Sequence, residues 1–118
     1  MTVLPLLLVL QVYFDGVPVP CLVDTGATMT VLSATQAERI GSRSGPFAKV
    51  RAQTVSGQPL WGDVWRIPNV GTDSIGWSHA LPLVVPAKSM THDCVLGTDL
   101  LGQQPIVIDW VRREVRAA

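Results

Sequence analysis

A lone carboxylate stands at the end of an apolar run, at a point where the chain must turn. Asp24 follows Leu22 and Val23, and Thr25 and Gly26 come directly after it. Placing a carboxylate beside apolar side chains is costly unless hydrogen bonds or a shared proton compensate the charge. Carboxylates held in such settings often serve in acid–base chemistry. Asp24 is therefore the candidate catalytic residue.

The other residues that could do chemistry have ordinary explanations. Cys21 and Cys94 lie in apolar contexts without CxxC spacing, so packing as small buried hydrophobes is favoured over a single disulfide. With His79 and His92 they do not give metal-ligand spacing, and we expect neither a metal nor another cofactor. The sequence has no Gly-x-Ser-x-Gly elbow and no signature of a catalytic thiol, which disfavours serine and cysteine hydrolases.

Length and composition predict one well-packed domain over residues 1–118. Of the 118 residues, 47% are hydrophobic and 15% charged, so disorder is not expected. Excess apolar surface on a small chain often lies in a subunit interface. We therefore expect the chain to form an oligomer.

Charge and hydropathy argue against two classes of partner. Nine basic and nine acidic side chains cancel, and the only basic cluster is the short tail 112–116, so we expect no nucleic-acid partner. The apolar run 3–10 is too short to span a bilayer and lacks the flanks of a signal peptide. It is predicted to be a buried strand, with no membrane span in this segment. The residues do not indicate a compartment, and release from a longer precursor is compatible with them.

A hairpin delivers Asp24 to its turn. Asp15-Gly16 between two apolar runs predicts a tight turn, and the return strand 17–23 ends directly before Asp24. Pro18 and Pro20 remove two amide hydrogens from one edge of that strand. That edge is therefore expected at the outside of its sheet.

Two short helices interrupt a series of strands. Ser33 is predicted to cap a helix over 35–40, and Thr98 to cap a helix over 98–101 that has Asp99 in its first turn. Closely spaced turns without a βαβ rhythm indicate a mostly-β domain. The further predicted strands are 29–32, 49–55, 60–67, 77–85, 94–97, and a terminal hairpin of 106–110 and 114–117.

The hairpin of strands 49–55 and 60–67 has a glycine-bearing tip, Ser56-Gly57-Gln58-Pro59. Its strands carry polar residues at alternate positions, so it is expected to project from the body. Trp61 and Trp65 share one face of their strand. Core packing is the more common role of such a pair, and the wall of a binding cleft is the alternative.

These features, in this order, resemble the retropepsin-like aspartic proteases of retroviruses, retrotransposons and their cellular and bacterial relatives. The resemblance is carried by Leu22-Val23-Asp24-Thr25-Gly26-Ala27, by the glycine-tipped hairpin, and by Val95-Leu96-Gly97-Thr98-Asp99-Leu100-Leu101. It covers nearly the whole chain. It implies a single retropepsin-like domain with a small, closed, β-barrel-like fold.

The resemblance implies an aspartic endopeptidase that cleaves extended polypeptides. In this family two aspartates face each other and share a proton, so that one activates a water and the other donates to the peptide carbonyl. The chain has one Asp-Thr-Gly motif, and neither Asp73 nor Asp99 leads into a second one. Asp24 would therefore meet its counterpart in a second copy, at the interface of a homodimer.

The family resemblance also implies roles for the residues around Asp24. Thr25 and Gly26 would support the active-site loop, and Leu96 and Gly97 would pass behind it. The residues expected at the substrate, including those of a closing flap, are Ala27, Thr28, Val55, Ser56, Gly57 and Gln58.

Two positions depart from the best-known viral pattern, and two other interpretations stay open. Thr28 and Thr98 stand where viral enzymes often have an acidic residue and an arginine, so that ion pair is absent here. One alternative function is a catalytically silent module that dimerises or binds peptides. The other is an isolated β domain in which Asp24 only caps a turn.

Overall fold

The computed structural model describes residues 7–53 and 57–118. This part of the chain is mostly strand, with two short helices, α1 (Ala34–Arg39) and α2 (Thr98–Leu101), and a 3-10 turn at Ala87–Ser89. The strands are β1 (Val9–Phe14), β2 (Val17–Val23), β3 (Val31–Ser33), β4 (Ser44–Gln53), β5 (Pro59–Gly71), β6 (Gly76–Ala80), β7 (Leu83–Val85), β8 (Cys94–Leu96), β9 (Ile106–Asp109) and β10 (Glu114–Ala117).

The main sheet closes on itself. Its hydrogen-bonded path runs β1-β2-β8-β3-β7-β5, and β5 also pairs with β1. β4 and β6 pair with β5, while β9 and β10 form a separate two-stranded sheet. The ring confirms the predicted mostly-β, closed, barrel-like fold with short helices.

The core lies inside this ring of strands. Side chains alternate between buried and exposed along β1 and β2, because successive residues of a strand point to opposite faces. Phe14, Val19, Leu32 and Ile67 are fully buried within it. Val115 of β10 belongs to the same cluster and joins the small terminal sheet to the main body.

The β1–β2 hairpin forms as predicted. Asp15 and Gly16 both have positive φ, 48° and 82°, as a two-residue hairpin turn requires. β2 pairs with β1 from Val17 to Leu22 but with β8 only at Leu22 and Val23, so Pro18 and Pro20 lie on the open edge as expected. Residues 3–6 of the predicted opening strand lie outside the described residues.

Both predicted helices form, but only one has the predicted cap. The Gln36 amide donates to Ser33 Oγ at 3.2 Å, which confirms Ser33 as the N-cap of α1. The prediction that Thr98 caps α2 was wrong, because Gly97 holds that position. Thr98 is already helical, and its amide donates to the Ala27 carbonyl at 2.8 Å.

The predicted strand over 77–85 is two strands. β6 and β7 are separated by Leu81 and Pro82. Pro82 has no amide hydrogen to continue the ladder. β7 then pairs in parallel with β3 and antiparallel with β5.

The second hairpin is longer than predicted, and its tip lies partly outside the described residues. Trp61 is 55% exposed, so the prediction that it packs in the core was wrong. Its cross-strand partner is Arg51, which is also exposed. Trp65 is half-buried, with the Arg43 guanidinium 4.5 Å from its ring centroid.

Within residues 7–53 and 57–118, no helix has the length and apolar character needed to cross a bilayer.

Candidate active site

The parallel pairing of β2 and β8 places Asp24. Leu22 and Val23 lie beside Val95 and Leu96, so both strands end at the same edge of the sheet. The Asp24 amide then donates to the Leu96 carbonyl at 3.1 Å. Asp24 therefore leaves the strand with its backbone still held by β8.

The turn after β2 fixes one oxygen of the Asp24 carboxylate. The Gly26 amide donates to Asp24 Oδ1 at 2.9 Å, and the Ala27 amide donates to the Asp24 carbonyl at 3.2 Å. A Cβ on Gly26 would lie 3.2 Å from Oδ1, which is tighter than ordinary contact. Glycine therefore lets the amide approach without displacing the carboxylate, which stays half-buried.

The segment 96–98 lies directly behind the loop that follows Asp24. A Cβ on Gly97 would be 2.6 Å from the Met29 carbonyl carbon and 3.0 Å from the Ala27 oxygen. Only glycine allows this approach, and the Thr98 amide donates to the Ala27 carbonyl from the same side. Leu96 and Gly97 thus lie directly behind the loop that carries Asp24, and their role as supports of an active site stays a prediction.

A cleft of about 570 Å³ opens in front of Asp24. Its floor is formed by the loop of residues 24–30 between β2 and β3, which we call the active-site loop. The β4–β5 hairpin and the segment 89–91 contribute to its walls. The residues that line it are Asp24, Gly26, Ala27, Thr28, Met29, Val31, Arg51, Ala52, Gln53, Leu60, Ser89, Met90, Thr91 and Val95. The structure thus brings Asp24, Gly26, Ala27 and Thr28 together.

The remaining predicted site residues lie elsewhere. Thr25 is exposed beside the cleft and does not line it. Gly57 and Gln58 are exposed near the hairpin tip and also do not line the cleft. Val55 and Ser56 lie outside the described residues.

Sequence reasoning missed several cleft residues. Arg51, Ala52 and Gln53 of β4 and Leu60 of β5 line the cleft, whereas Trp61 does not. Met90 belongs to a segment interpreted only as a loop, and its position depends on contacts that no local pattern encodes.

Asp99 has a larger role than its predicted place in a helix first turn. Its carboxylate accepts hydrogen bonds from the amide and the hydroxyl of Thr30, at 2.9 and 2.7 Å. Thr30 is fully buried at the end of the active-site loop. Asp99 therefore connects α2 to the loop that carries Asp24.

Cys21 and Cys94 are free, buried thiols on the neighbouring strands β2 and β8. This confirms their predicted packing as small hydrophobes. Burial raises the pKa of the Cys21 thiol, and a hydrogen bond with Cys94 raises it further. Among the described residues, no group of three or more His, Cys, Asp or Glu side chains is arranged to hold a metal ion.

A protein-family model described as "gag-polyprotein putative aspartyl protease" matches residues 10–103. The chain belongs to this aspartyl protease family. The matched region includes the Asp24-Thr25-Gly26 turn, the β4–β5 hairpin and α2. No curated protein sequence gives a significant match.

Solved structures of two proteases and of one retroviral protease-like domain are similar in fold to this chain. The EIAV protease in complex with the inhibitor HBY-793 aligns with a TM-score of 0.66 and 20% identity, over 86% of this chain and 91% of that one. A retropepsin-like aspartic protease from Rickettsia conorii gives 0.63 and 17%, over 87% and 76%. The retroviral protease-like domain of Ddi1 from Leishmania major gives 0.63 and 18%, over 97% and 90%. The resemblance to retropepsin-like proteases is therefore confirmed at the level of fold.

Proposed function

We propose that this chain is an aspartic endopeptidase that hydrolyses peptide bonds in extended polypeptides. The observation that carries the proposal is Asp24, held by the Gly26 amide at the floor of a cleft of about 570 Å³. The aspartyl protease family match covers this motif. Residues 1–118 act as one catalytic domain that supplies half of the site.

The other half comes from a second copy of the chain. The sequence contains one Asp-Thr-Gly, and the reaction needs two carboxylates in different protonation states. A two-fold axis beside the Asp24 turn supplies the second carboxylate and brings the two exposed Thr25 residues close to each other. The homodimer then carries one substrate cleft made from both copies.

The reaction proceeds by general acid–base catalysis without a covalent intermediate. Two carboxylates this close share one proton, because ionising both is costly. The ionised carboxylate takes a proton from a water, whose oxygen attacks the peptide carbonyl carbon. The protonated carboxylic acid donates to the carbonyl oxygen, which gives a tetrahedral intermediate. The carboxyl that took the water proton donates it to the amide nitrogen, and the C–N bond breaks. A hydroxyl proton of the intermediate returns to the other carboxylate, and the two products are released.

The cleft walls support an extended substrate with apolar side chains near the cleaved bond. Met29, Val31, Met90 and Val95 contribute apolar surface to the cleft. The β4–β5 hairpin contributes Arg51, Ala52, Gln53 and Leu60 to the lining of the cleft. The tip of this hairpin serves as a flap that closes over the peptide and excludes water.

The test is peptide cleavage by the wild type and by an Asp24→Asn variant, across acidic to neutral pH. We expect the variant to fold but to lose activity by at least about 10³-fold, since an amide cannot activate the water. Asp73→Asn, which changes an exposed loop carboxylate, is the matched control and should retain activity.

A hydroxyl-bearing transition-state mimic should inhibit the wild type, because its hydroxyl occupies the place of the attacking water. Full activity in Asp24→Asn would refute the proposal. A wild type that binds peptides without cleaving them would instead support the silent binding module.

A further inference from the structure

We propose that Asp99 is a positioning residue for the Asp24 carboxylate. Asp99 does not line the cleft around Asp24, so it acts on the reaction through Thr30 and the loop that Thr30 ends. The inference rests on the proposed protease activity, and it assigns a role in that activity to a residue outside the cleft.

The Asp99 carboxylate gathers three donors. Oδ2 accepts from the Thr30 amide at 2.9 Å, and Oδ1 accepts from the Thr30 hydroxyl at 2.7 Å and from the Leu100 amide at 2.9 Å. Only the Leu100 bond is local to α2. Thr30 lies 69 residues away in the sequence, so two of the three bonds tie α2 to the active-site loop.

The Thr30 hydroxyl passes this restraint on to Gly97. A hydroxyl has one hydrogen, and here Thr30 gives it to Asp99. Its lone pairs remain free to accept, and the Gly97 amide donates to Thr30 Oγ1 at 3.1 Å. The bond to Asp99 therefore fixes the rotation of the buried Thr30 hydroxyl. In this rotation its oxygen accepts the hydrogen bond from the Gly97 amide.

These bonds fasten the active-site loop at both ends to one short segment. At the start of the loop, the Asp24 amide donates to the Leu96 carbonyl at 3.1 Å. At its end, Thr30 is bound to Asp99 and Gly97. We call this arrangement the loop clamp. A shift at its Asp99 end changes the distance that the loop must span and so moves the Asp24 carboxylate.

The clamp can be tested by separating catalysis from substrate binding. Thr30→Val removes the hydroxyl at nearly constant volume, and Asp99→Ala removes all three acceptor bonds. A misplacement of about 1 Å at a catalytic group costs up to about 10²-fold in rate, so we expect kcat to fall about 10- to 100-fold with KM within about 2-fold. The double variant should be no worse than the more impaired single one, because both residues act as one unit.

Two conservative variants and one control define the effect. Thr30→Ser keeps the hydroxyl and should restore kcat to within about 3-fold of the wild type. Asp99→Asn keeps one oxygen but replaces the other by a donor, so it should be intermediate and serves if Asp99→Ala does not fold. Gln103→Ala removes a bond to the Asp99 carbonyl, at 3.0 Å, without touching the loop, and should leave kcat unchanged.

A second readout does not depend on activity. Amide hydrogen exchange at Gly26 and Gly97 should accelerate in Thr30→Val and Asp99→Ala, but not in Gln103→Ala, since only the first two release the clamp. An inactive wild type would refute the proposed function. In that case the exchange rates at Gly26 and Gly97 alone would show whether Asp99 and Thr30 hold the loop in place. With an active wild type, unchanged kcat in Thr30→Val and Asp99→Asn would overturn the inference, as would unchanged exchange at Gly26.

Discussion

The hydrogen bond between Gly26 and Asp24 depends on the absence of a side chain. The amide reaches Oδ1 at 2.9 Å because nothing projects from the Gly26 Cα toward the carboxylate. A carboxylate that activates water must hold one oxygen in a fixed direction while the other stays available to the reaction. Gly26 provides that fixed direction at the scale of a single residue.

Gly26→Ala should therefore impair catalysis more than folding. The added Cβ, 3.2 Å from Asp24 Oδ1, displaces the carboxylate by a few tenths of an ångström. We expect kcat to fall about 10-fold, with the free energy of unfolding changed by less than about 1 kcal/mol. Gly41→Ala is the control, since a Cβ there meets no atom within 4 Å. Equal kcat in the two variants would contradict this role of Gly26.

The buried Cys21 thiol predicts a loss of stability at alkaline pH. Burial raises its pKa in the folded state above the value of about 9 that it has when exposed. The folded state therefore keeps its proton when the unfolded state releases it, so this contribution is complete below about pH 9 and is lost as the pH rises further. The slope is about 1.4 kcal/mol per pH unit for one thiol.

Urea unfolding of the reduced protein at neutral and alkaline pH measures this effect. Cys21→Ala should be less stable at neutral pH, because it leaves a cavity, but its free energy of unfolding should fall less steeply above about pH 9. Parallel slopes for the wild type and the variant would show that the Cys21 thiol does not cause the alkaline loss.

At the scale of elements, α2 packs its N-terminus against the active-site loop. Gly97→Ala should destabilise the fold, because the added Cβ would lie 2.6 Å from the Met29 backbone, which cannot move independently of the loop. Overpacking of this kind costs about 1–3 kcal/mol, and a backbone clash belongs at the upper end. Gly76→Ala, where a Cβ meets no atom, is the control in urea unfolding. Equal midpoints would contradict the close packing of α2 and the loop.

The sequence predicted correctly those parts of the fold that depend on residues close together in the chain. Asp15-Gly16 suits positive φ at both positions, and the β1–β2 turn follows from it. Ser33 caps α1 because its hydroxyl reaches an amide three residues on. The Asp-Thr-Gly motif forms the predicted turn, in which the Gly26 amide donates to the Asp24 carboxylate.

The parts that sequence reasoning missed depend on contacts between distant segments. The pairing of Asp99 with Thr30 joins residues on separate elements, and a carboxylate in a helix first turn has a sufficient local explanation without it. The exposure of Trp61 follows from which face of the hairpin meets the body. The flap tip at Val55 and Ser56 stays a prediction.

At the scale of the whole molecule, the proposed function requires a second copy of the chain, and the β9–β10 hairpin is a candidate for the contact between the two copies. Val115 anchors β10 in the core, while the hairpin tip presents Trp110 and Val111, which are 37% and 93% exposed. Exposed apolar residues on a small sheet favour an intersubunit contact. We expect β9 and β10 to contribute to the homodimer that brings two Asp24 residues together.

Mixing the wild type with Asp24→Asn tests this shared site most directly. Subunits are exchanged at constant total protein, at a concentration where the dimer forms, and peptide cleavage is measured at each ratio. If both Asp24 residues are required, only dimers of two wild-type subunits are active. Activity should then fall as the square of the wild-type fraction, to about one quarter in an equal mixture. A linear fall, to about one half, would show that each chain cleaves with its own Asp24 and would contradict the account.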